Sequence, residues 1–381
     1  MEIYLDNAAT TRVCPEAAEI ALRVMTEDYG NPGSTHGPGR RARELLDAAR
    51  KQAAAPLGCR DSEIVFTSGG TESDNWALTG AAELMRRRGR HIISSQAEHD
   101  AVRKPLERLA REGWDVTLLP PDPAGGIAPE AVAAALRPDT VLVSLMLVNN
   151  ETGAVTDVAA VSRNLKEAGS AALLHTDAVQ AYGKLPFTAR ELGADLISLS
   201  GHKIHAPKGI GALYIRSGVK LPPLILGGGQ ENGLRSGTEP LPQIAAFGEA
   251  ARLAREALPE AAPRMGALKR YCMETICAAE PDAVIVPGRA THILSLSLPG
   301  CRSEVLLNAL DAQGICVSKS SACKRGRRSH VLEAMGLPDK VIDGAVRVSF
   351  SRYTTRQECE TFCAELLQAA ETLFPPGKRR V

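Results

Sequence analysis

Between residues 16 and 215 short apolar runs alternate with stretches of helical periodicity, and this alternation limits the possible folds more than any other feature of the chain. Strand-like runs fall at 63–66, 91–95, 116–120, 141–148, 172–177, 196–200 and 212–215. Between them apolar residues recur about every 3.6 positions, at 41–55, 72–87, 101–112, 129–136 and 157–168. Short, nearly uninterrupted apolar strands separated by helices build a mostly parallel sheet that helices cover on both faces. After Gly227-Gly228-Gly229 the pattern changes to a long helix over 242–256, then to shorter mixed elements up to the basic tail Lys378-Arg379-Arg380. A second domain is predicted there, and a length of 381 residues agrees with two.

Composition removes several classes of function. With 44% hydrophobic and 23% charged residues the chain is neither collagen-like nor wholly disordered. Its net charge of +1 supplies no global field toward nucleic acid or an anionic membrane. The opening Met1-Glu2-Ile3-Tyr4-Leu5-Asp6 carries two acids and no basic start, unlike a secretory signal. The longest apolar run, 141–148, has eight residues against the roughly 20 that a membrane span needs, so a cytoplasmic protein without membrane contact is predicted. Nine dispersed cysteines with no C-x-x-C pair fit reduced thiols better than disulfides or a zinc site, and no metal is expected. Cys359 and Cys363, one helical turn apart, are too few ligands for a structural metal and are read as packing.

The residues that carry chemistry follow strand ends, where open α/β sheets bind ligands. Ser200-Gly201-His202-Lys203 closes the 196–200 strand, and Asp177, in His175-Thr176-Asp177-Ala178-Val179-Gln180, closes its neighbour. A lysine and a carboxylate in one crevice suit pyridoxal phosphate: the amine forms a Schiff base and the acid keeps the pyridine nitrogen protonated, so that the ring accepts carbanion electrons. Thr67-Ser68-Gly69-Gly70-Thr71-Glu72-Ser73-Asp74-Asn75 lies between a strand and a helix, where free N–H groups and the positive helix end favour a dianion. It is not a Walker loop, since G-x-x-x-x-G-K is absent. His99 follows another strand end and could stack on an aromatic ring or move a proton. Asn149-Asn150-Glu151 closes the 141–148 run.

Tyr4-Leu5-Asp6-Asn7-Ala8-Ala9-Thr10-Thr11, Ser68-Gly69-Gly70-Thr71-Glu72-Ser73, Glu98-His99, Val148-Asn149-Asn150-Glu151, the 177–180 run, Ser200-Gly201-His202-Lys203, Arg235-Ser236-Gly237-Thr238 and Ser320-Ser321-Ala322-Cys323 together resemble the cysteine desulfurases of the NifS/IscS type, within the class V aminotransferase group. The resemblance runs in unbroken order from residue 4 to about residue 355. It implies a pyridoxal-phosphate-dependent transferase of fold type I, an α/β protein with a mainly parallel seven-stranded sheet in a large domain (13–258). A smaller α+β domain is formed by 1–12 with 259–381. Lys203 looks like the Schiff-base lysine, Asp177 like the pyridinium partner and His99 like the residue stacked on the ring. Gln180 and Asn150 would lie near the ring hydroxyl. Gly70, Thr71, Ser200 and His202 would hold the phosphate, and Thr238 would reach in from the partner of a homodimer. Arg347 matches the arginine for the substrate carboxylate, beside Asn150, and Cys323 matches the nucleophile that collects sulfur from L-cysteine, leaving alanine and a persulfide. The sulfur would pass to an acceptor protein for cluster assembly or for tRNA or cofactor thiolation, without direct nucleic-acid binding.

One stretch departs from the family pattern. After Cys323 the run Lys324-Arg325-Gly326-Arg327-Arg328-Ser329-His330 lacks the usual Glu-Pro pair, and with Lys319 it places five cations between 319 and 328. They are either a solvated face or a means of lowering the Cys323 pKa and attracting an acidic acceptor. Two alternatives stay open: a related enzyme such as a selenocysteine lyase or a transaminase, and a non-catalytic sulfur-relay or scaffold protein that keeps the fold.

Overall fold

The computed structural model describes residues 2–319 and 328–375. The chain enters through a short strand, β1 (Ile3–Tyr4), and two helices, α1 (Pro15–Thr26) and α2 (Gly37–Ala54). The alternating region follows as β2 (Ile64–Thr67), α3 (Gly70–Met85), β3 (His91–Ser95), α4 (Asp100–Arg111), β4 (Asp115–Leu119), α5 (Pro129–Ala135), β5 (Thr140–Ser144), α6 (Val158–Glu167), β6 (Leu173–Asp177), α7 (Ala189–Leu192), β7 (Leu196–Ser200) and β8 (Gly211–Ile215). These strands form one seven-stranded sheet in the order β2-β8-β7-β6-β5-β3-β4. Neighbours from β7 to β4 run parallel, while β8 is antiparallel to both β2 and β7. Every residue of β3, β5, β6 and β7 is buried, as expected of parallel strands covered on both faces, and this includes polar residues such as His91, Ser95, His175 and Asp177.

Two predicted elements differ. The regular strand stops at Ser144, yet residues 145–148 stay buried and keep to β6: the Leu145 N–H donates to the His175 carbonyl at 3.1 Å and the Leu147 N–H to the Asp177 carbonyl at 2.9 Å, while the Thr156 N–H donates to the Leu147 carbonyl at 3.1 Å. The helix predicted at 242–256 is instead α8 (Leu241–Ala279), 39 residues long, which continues through Pro259 and Pro263. A proline costs a helix interior about 3 kcal/mol. Here packing sustains the helix on both sides of the prolines, against α1 and α2 and against the C-terminal helix named below.

Beyond it lie β9 (Val284–Val286), β10 (Ile293–Ser297), α9 (Ser303–Ala312), β11 (Ile315–Cys316), β12 (Ser318–Lys319), α10 (His330–Ala334), α11 (Asp339–Asp343), β13 (Ala345–Ser349) and α12 (Arg356–Leu373). A four-stranded antiparallel sheet, β12-β13-β10-β9, carries this region, and β1 pairs in parallel with β11, so the first residues join the last third of the chain. One apolar cluster gathers Leu46, Phe66, Leu145 and Phe247; another gathers Leu5, Cys272, Leu296, Phe350 and Phe362. Cys359 and Cys363 are buried in the second, where the sequence put them as packing. No helix among the described residues is long and apolar enough to cross a membrane.

A loop after β8 returns over the edge of the sheet and is pinned by charge. Arg50 grips Glu231 with two hydrogen bonds of 2.6 and 2.7 Å, and the Phe66 N–H donates to the same carboxylate at 2.9 Å. Glu231 is buried and takes a positive φ of 50°, a conformation that costs a non-glycine residue free energy and persists only where contacts enforce it. Removing one partner of a buried pair leaves an uncompensated charge. Arg50→Met is therefore expected to lower stability by about 3 kcal/mol in chemical denaturation; a change within about 0.5 kcal/mol, as for a surface substitution, would contradict this account of the loop.

Candidate active site

The carboxyl ends of the parallel strands open into one cleft of about 420 Å³. It lies where strand order reverses, with β3 flanked on one side by the later β4 and on the other by β5. Ser200 ends β7, and a single 3-10 turn, Gly201–Lys203, carries the chain to Lys203. Its Nζ donates to the carbonyls of Ala8 and Ala9 at 2.8 and 2.6 Å. Residues 6–11 thus cross the lysine turn as a strap, and Thr11 fastens it by donating its N–H and hydroxyl to the His202 carbonyl at 2.9 and 3.0 Å.

Asp177 ends β6 opposite Ser198 of β7 and accepts from the Val179 N–H at 2.9 Å. Burial pushes its carboxyl up, while the Val179 N–H and the nearby His99 and Lys203 pull it down. Deeper in the cleft is Asp74, whose carboxyl burial and the Asp177 charge hold far above the usual range. His175, buried beside it with Nε2 at 3.6 Å, bonds the hydroxyls of Ser144 and Ser198; burial lowers it to about 3, so it is neutral.

The mouth of the cleft includes the first turn of α3. Gly69 offers no side-chain cap, and Gly70 and Thr71 line the wall, leaving the first-turn N–H groups for a ligand. A Cβ on Gly70 would stand 2.7 Å from Val179 Cγ2, so only glycine lets the helix end come this close. His202 bonds the Thr10 hydroxyl through Nδ1 at 3.1 Å, and burial with the nearby lysines lowers it to about 4. On the opposite wall His99 caps α4: its Nδ1 accepts the Ala101 N–H at 3.1 Å, which leaves the neutral ring's proton on Nε2.

Arg347, on β13, closes the far side and is 1% exposed. Its Nη1 donates to the Asn150 carbonyl and its Nη2 to Asp6 Oδ1, each at 2.8 Å, while Nε is buried with no partner among the described residues. A planar anion such as a carboxylate matches that fork.

The cleft therefore brings together Lys203, Asp177, His99, Gly70, Thr71, Asn150, Gln180, Ser200, His202 and Arg347. Thr238 is exposed in the loop after β8 and is not part of this wall. Cys323, with Lys324, Arg325 and Arg327, lies outside the described residues. The other two cations of that stretch are not free charges: Lys319 pairs with Glu304, and Arg328 with Asp339 and Asp343. Lys184 was not singled out from the sequence, and Asp6, Asp74 and Glu98 were read only as parts of longer motifs, without a role of their own. For Asp74 a signal existed, since it sits one helical turn after Gly70 on the same face of α3.

The class-V aminotransferase family matches residues 3–362. The chain belongs to that family. Within it, the chain is 42% identical over 376 residues to a protein of Trichormus azollae named cysteine desulfurase, covering 97% of this chain and 93% of that one. A solved structure titled as a NifS-like protein superposes with a TM-score of 0.91 at 40% identity, over 97% of this chain and 99% of the other. Another, titled as SspA in complex with cysteine, gives 0.80 at 32% identity over 93% and 100%. This is a family of enzymes, and the seven-stranded sheet with its strand-end lysine is the fold type I architecture.

Beneath His99 the family pair Glu98-His99 contains a buried acid. Glu98 Oε1 accepts from the Ser95 hydroxyl at 2.6 Å and the Met146 N–H at 3.0 Å, yet burial, reinforced by the Asp177 charge, raises it to about 8. An acid whose folded value lies above its unfolded value of about 4.5 holds its proton more tightly in the native state. Its contribution to stability is whole below about pH 4.5 and is lost as pH rises to about 8. Urea denaturation across this window is expected to show that decline, and Glu98→Gln, the neutral isostere, to flatten it; an unchanged slope in the variant would show that Glu98 is already ionised.

Proposed function

We propose that this protein is a cysteine desulfurase that uses pyridoxal 5′-phosphate and passes sulfur to an acceptor protein. The reading is carried by one observation: an amine, Lys203, and a buried acid, Asp177, face the same cleft from adjacent strand ends, beside an arginine fork whose Nε–H has no partner among the described residues. The donor set fits the cofactor. The first turn of α3, Thr71, Ser200 and His202 would hold its phosphate, Asp177 its pyridine nitrogen, His99 its ring face, and Gln180 and Asn150 its hydroxyl side. When bound, it supplies an electron sink that stabilises negative charge at the substrate α-carbon.

The chain's own residues do the rest. Arg347, held by Asp6 and Asn150, orients the L-cysteine carboxylate and leaves the sulfur free to meet the Cys323 thiol. The Ala8 and Ala9 carbonyls steady the Lys203 ammonium when that nitrogen holds a proton, so Nζ serves as the local proton carrier. His99 donates from Nε2, the ring nitrogen its helix cap leaves protonated. The sum balances without a further reductant: L-cysteine and the Cys323 thiol give L-alanine and a Cys323 persulfide. A nucleophilic thiolate at position 323 is the sulfur acceptor that chemistry requires.

The same reading divides the chain into 13–258 and 1–12 with 259–381, supported by the buried apolar cluster of Leu5, Cys272 and Phe362, which is drawn from the second group alone. It assigns a homodimer, supported by exposed Leu22, Met25 and Tyr29 near α1 and by Leu226, 84% exposed, in the loop that bears Thr238. Delivery to cluster assembly or thiolation, in the cytoplasm, completes it.

Gly70→Val would press a branched side chain into Val179, and purified variant protein is expected to retain less than about a tenth of the wild-type cofactor by absorbance. The activity test is incubation of holoenzyme with L-cysteine and a thiol reductant. Alanine and sulfide should form in equal amounts, and Lys203→Ala and Cys323→Ser should each lose at least about a hundredfold in rate. Full sulfide release by Cys323→Ser would instead favour a lyase of the selenocysteine type, and transfer of the amino group to a keto acid would favour a transaminase.

A further inference from the structure

The lysine turn has a second amine behind it. Lys184, in the turn after β6, is 8% exposed, and its Nζ reaches a single acceptor among the described residues, Gln180 Oε1 at 3.4 Å. An isolated buried ammonium is expensive. The Gln180 amide does not end there: its Nε2 donates to the Ala8 carbonyl at 2.8 Å, and that carbonyl also accepts from Lys203 Nζ at 2.8 Å. Lys184, Gln180, Ala8 and Lys203 thus form one hydrogen-bonded series, and both lysines line a cavity of about 30 Å³ with Asn7, Thr11, His205 and Arg352.

The ionisable groups that act on Lys184 are all cationic or basic, set among neutral residues such as Asn7, Thr11 and Phe350. The charges of Lys203 and Arg347 oppose its own, and His202, His205 and His292 feel its charge, while among the described residues no carboxylate pairs with it. Burial, then Lys203 and Arg347, bring it down to about 7. Gln180 alone could turn its amide either way; a donor at Oε1 fixes Nε2 on Ala8, and so fixes the acceptor on which the Lys203 amine rests.

We propose that Lys184 is a positioning residue for the Lys203 site: it sets the Gln180 amide and, through the Ala8 carbonyl, the place of the Lys203 nitrogen, and its charge opposes a proton on that nitrogen. This rests on the reading that Lys203 carries the cofactor. Two nearby bases that repel each other's protons titrate as a pair rather than singly.

The test is a pH titration of the visible absorbance of the holoenzyme, for wild type, Lys184→Met and Lys184→Gln. The wild-type curve should be broader than a one-proton curve or show a second step, and both variants should follow one proton. In L-cysteine turnover Lys184→Met should lose about tenfold in kcat with KM changed less than about twofold, the size of one lost hydrogen bond, while Lys184→Gln, which keeps a donor, should recover most of it. A wild-type curve that fits one proton and superposes on the Lys184→Gln curve overturns the proposal, whether or not Lys184→Met folds. A holoenzyme whose visible band survives in Lys203→Ala overturns the assignment of Lys203 itself, and with it the proposal.

Discussion

The contact on which the rest of the site depends is the grip of the N-terminal strap on Lys203. Two carbonyls, Ala8 and Ala9, take the amine at hydrogen-bond distance, and the strap that bears them is held from three sides. β1 pairs with β11, Asp6 pairs with Arg347, and Asn7 Nδ2 and Ala8 N–H bond Ser349 at 2.9 and 2.8 Å. The large sheet, the C-terminal sheet and the first residues therefore meet at one nitrogen. Closing contacts between residues more than 340 positions apart costs chain entropy, and the hydrogen bonds and buried apolar surface of both clusters offset it.

Around that point the protein buries more ionisable groups than a core tolerates for packing alone. Asp74, Asp177 and Glu98 are raised by burial, and His175, His202 and Lys184 are lowered by it. Shifts of both signs within one cleft favour neutral forms where a charge would otherwise be stranded, and they cluster where reactive chemistry takes place. Arg347 is the paired member of the set, held by the Asp6 carboxylate and a backbone carbonyl. A guanidinium fixed in this way selects an anionic group by position rather than by general attraction.

Much of this was legible in the sequence, and for a physical reason. Strands covered on both faces lack the alternation of a half-exposed strand, so the apolar stretches of β5 and β7 and the Ile92-Ile93 and Leu173-Leu174 pairs of β3 and β6 mark the sheet, and polar residues toward the carboxyl ends mark the cleft. The ordered motifs pointed to Lys203, Asp177 and His99, and the family resemblance to Arg347; all four line the one cleft. What could not be read was partnership across the fold. Nothing local tells that Asp6 will meet Arg347, or that Lys184 lies beneath Lys203 rather than in solvent, because a lone lysine or aspartate is usually exposed. The length of α8 was hidden by Pro259 and Pro263, which stop most helices but not one packed along both halves. Thr238, which the resemblance put at the cofactor, lies exposed outside the cleft wall of this chain.

The central claim is that a carbonyl cofactor is bonded to one particular nitrogen. Borohydride reduction of the holoenzyme, followed by proteolysis and mass spectrometry, tests it directly. The account predicts that the reduced cofactor is found on the peptide containing Lys203 and on no other lysine. Recovery of the label on Lys184 or on a surface lysine, or none at all on a yellow protein, would contradict it.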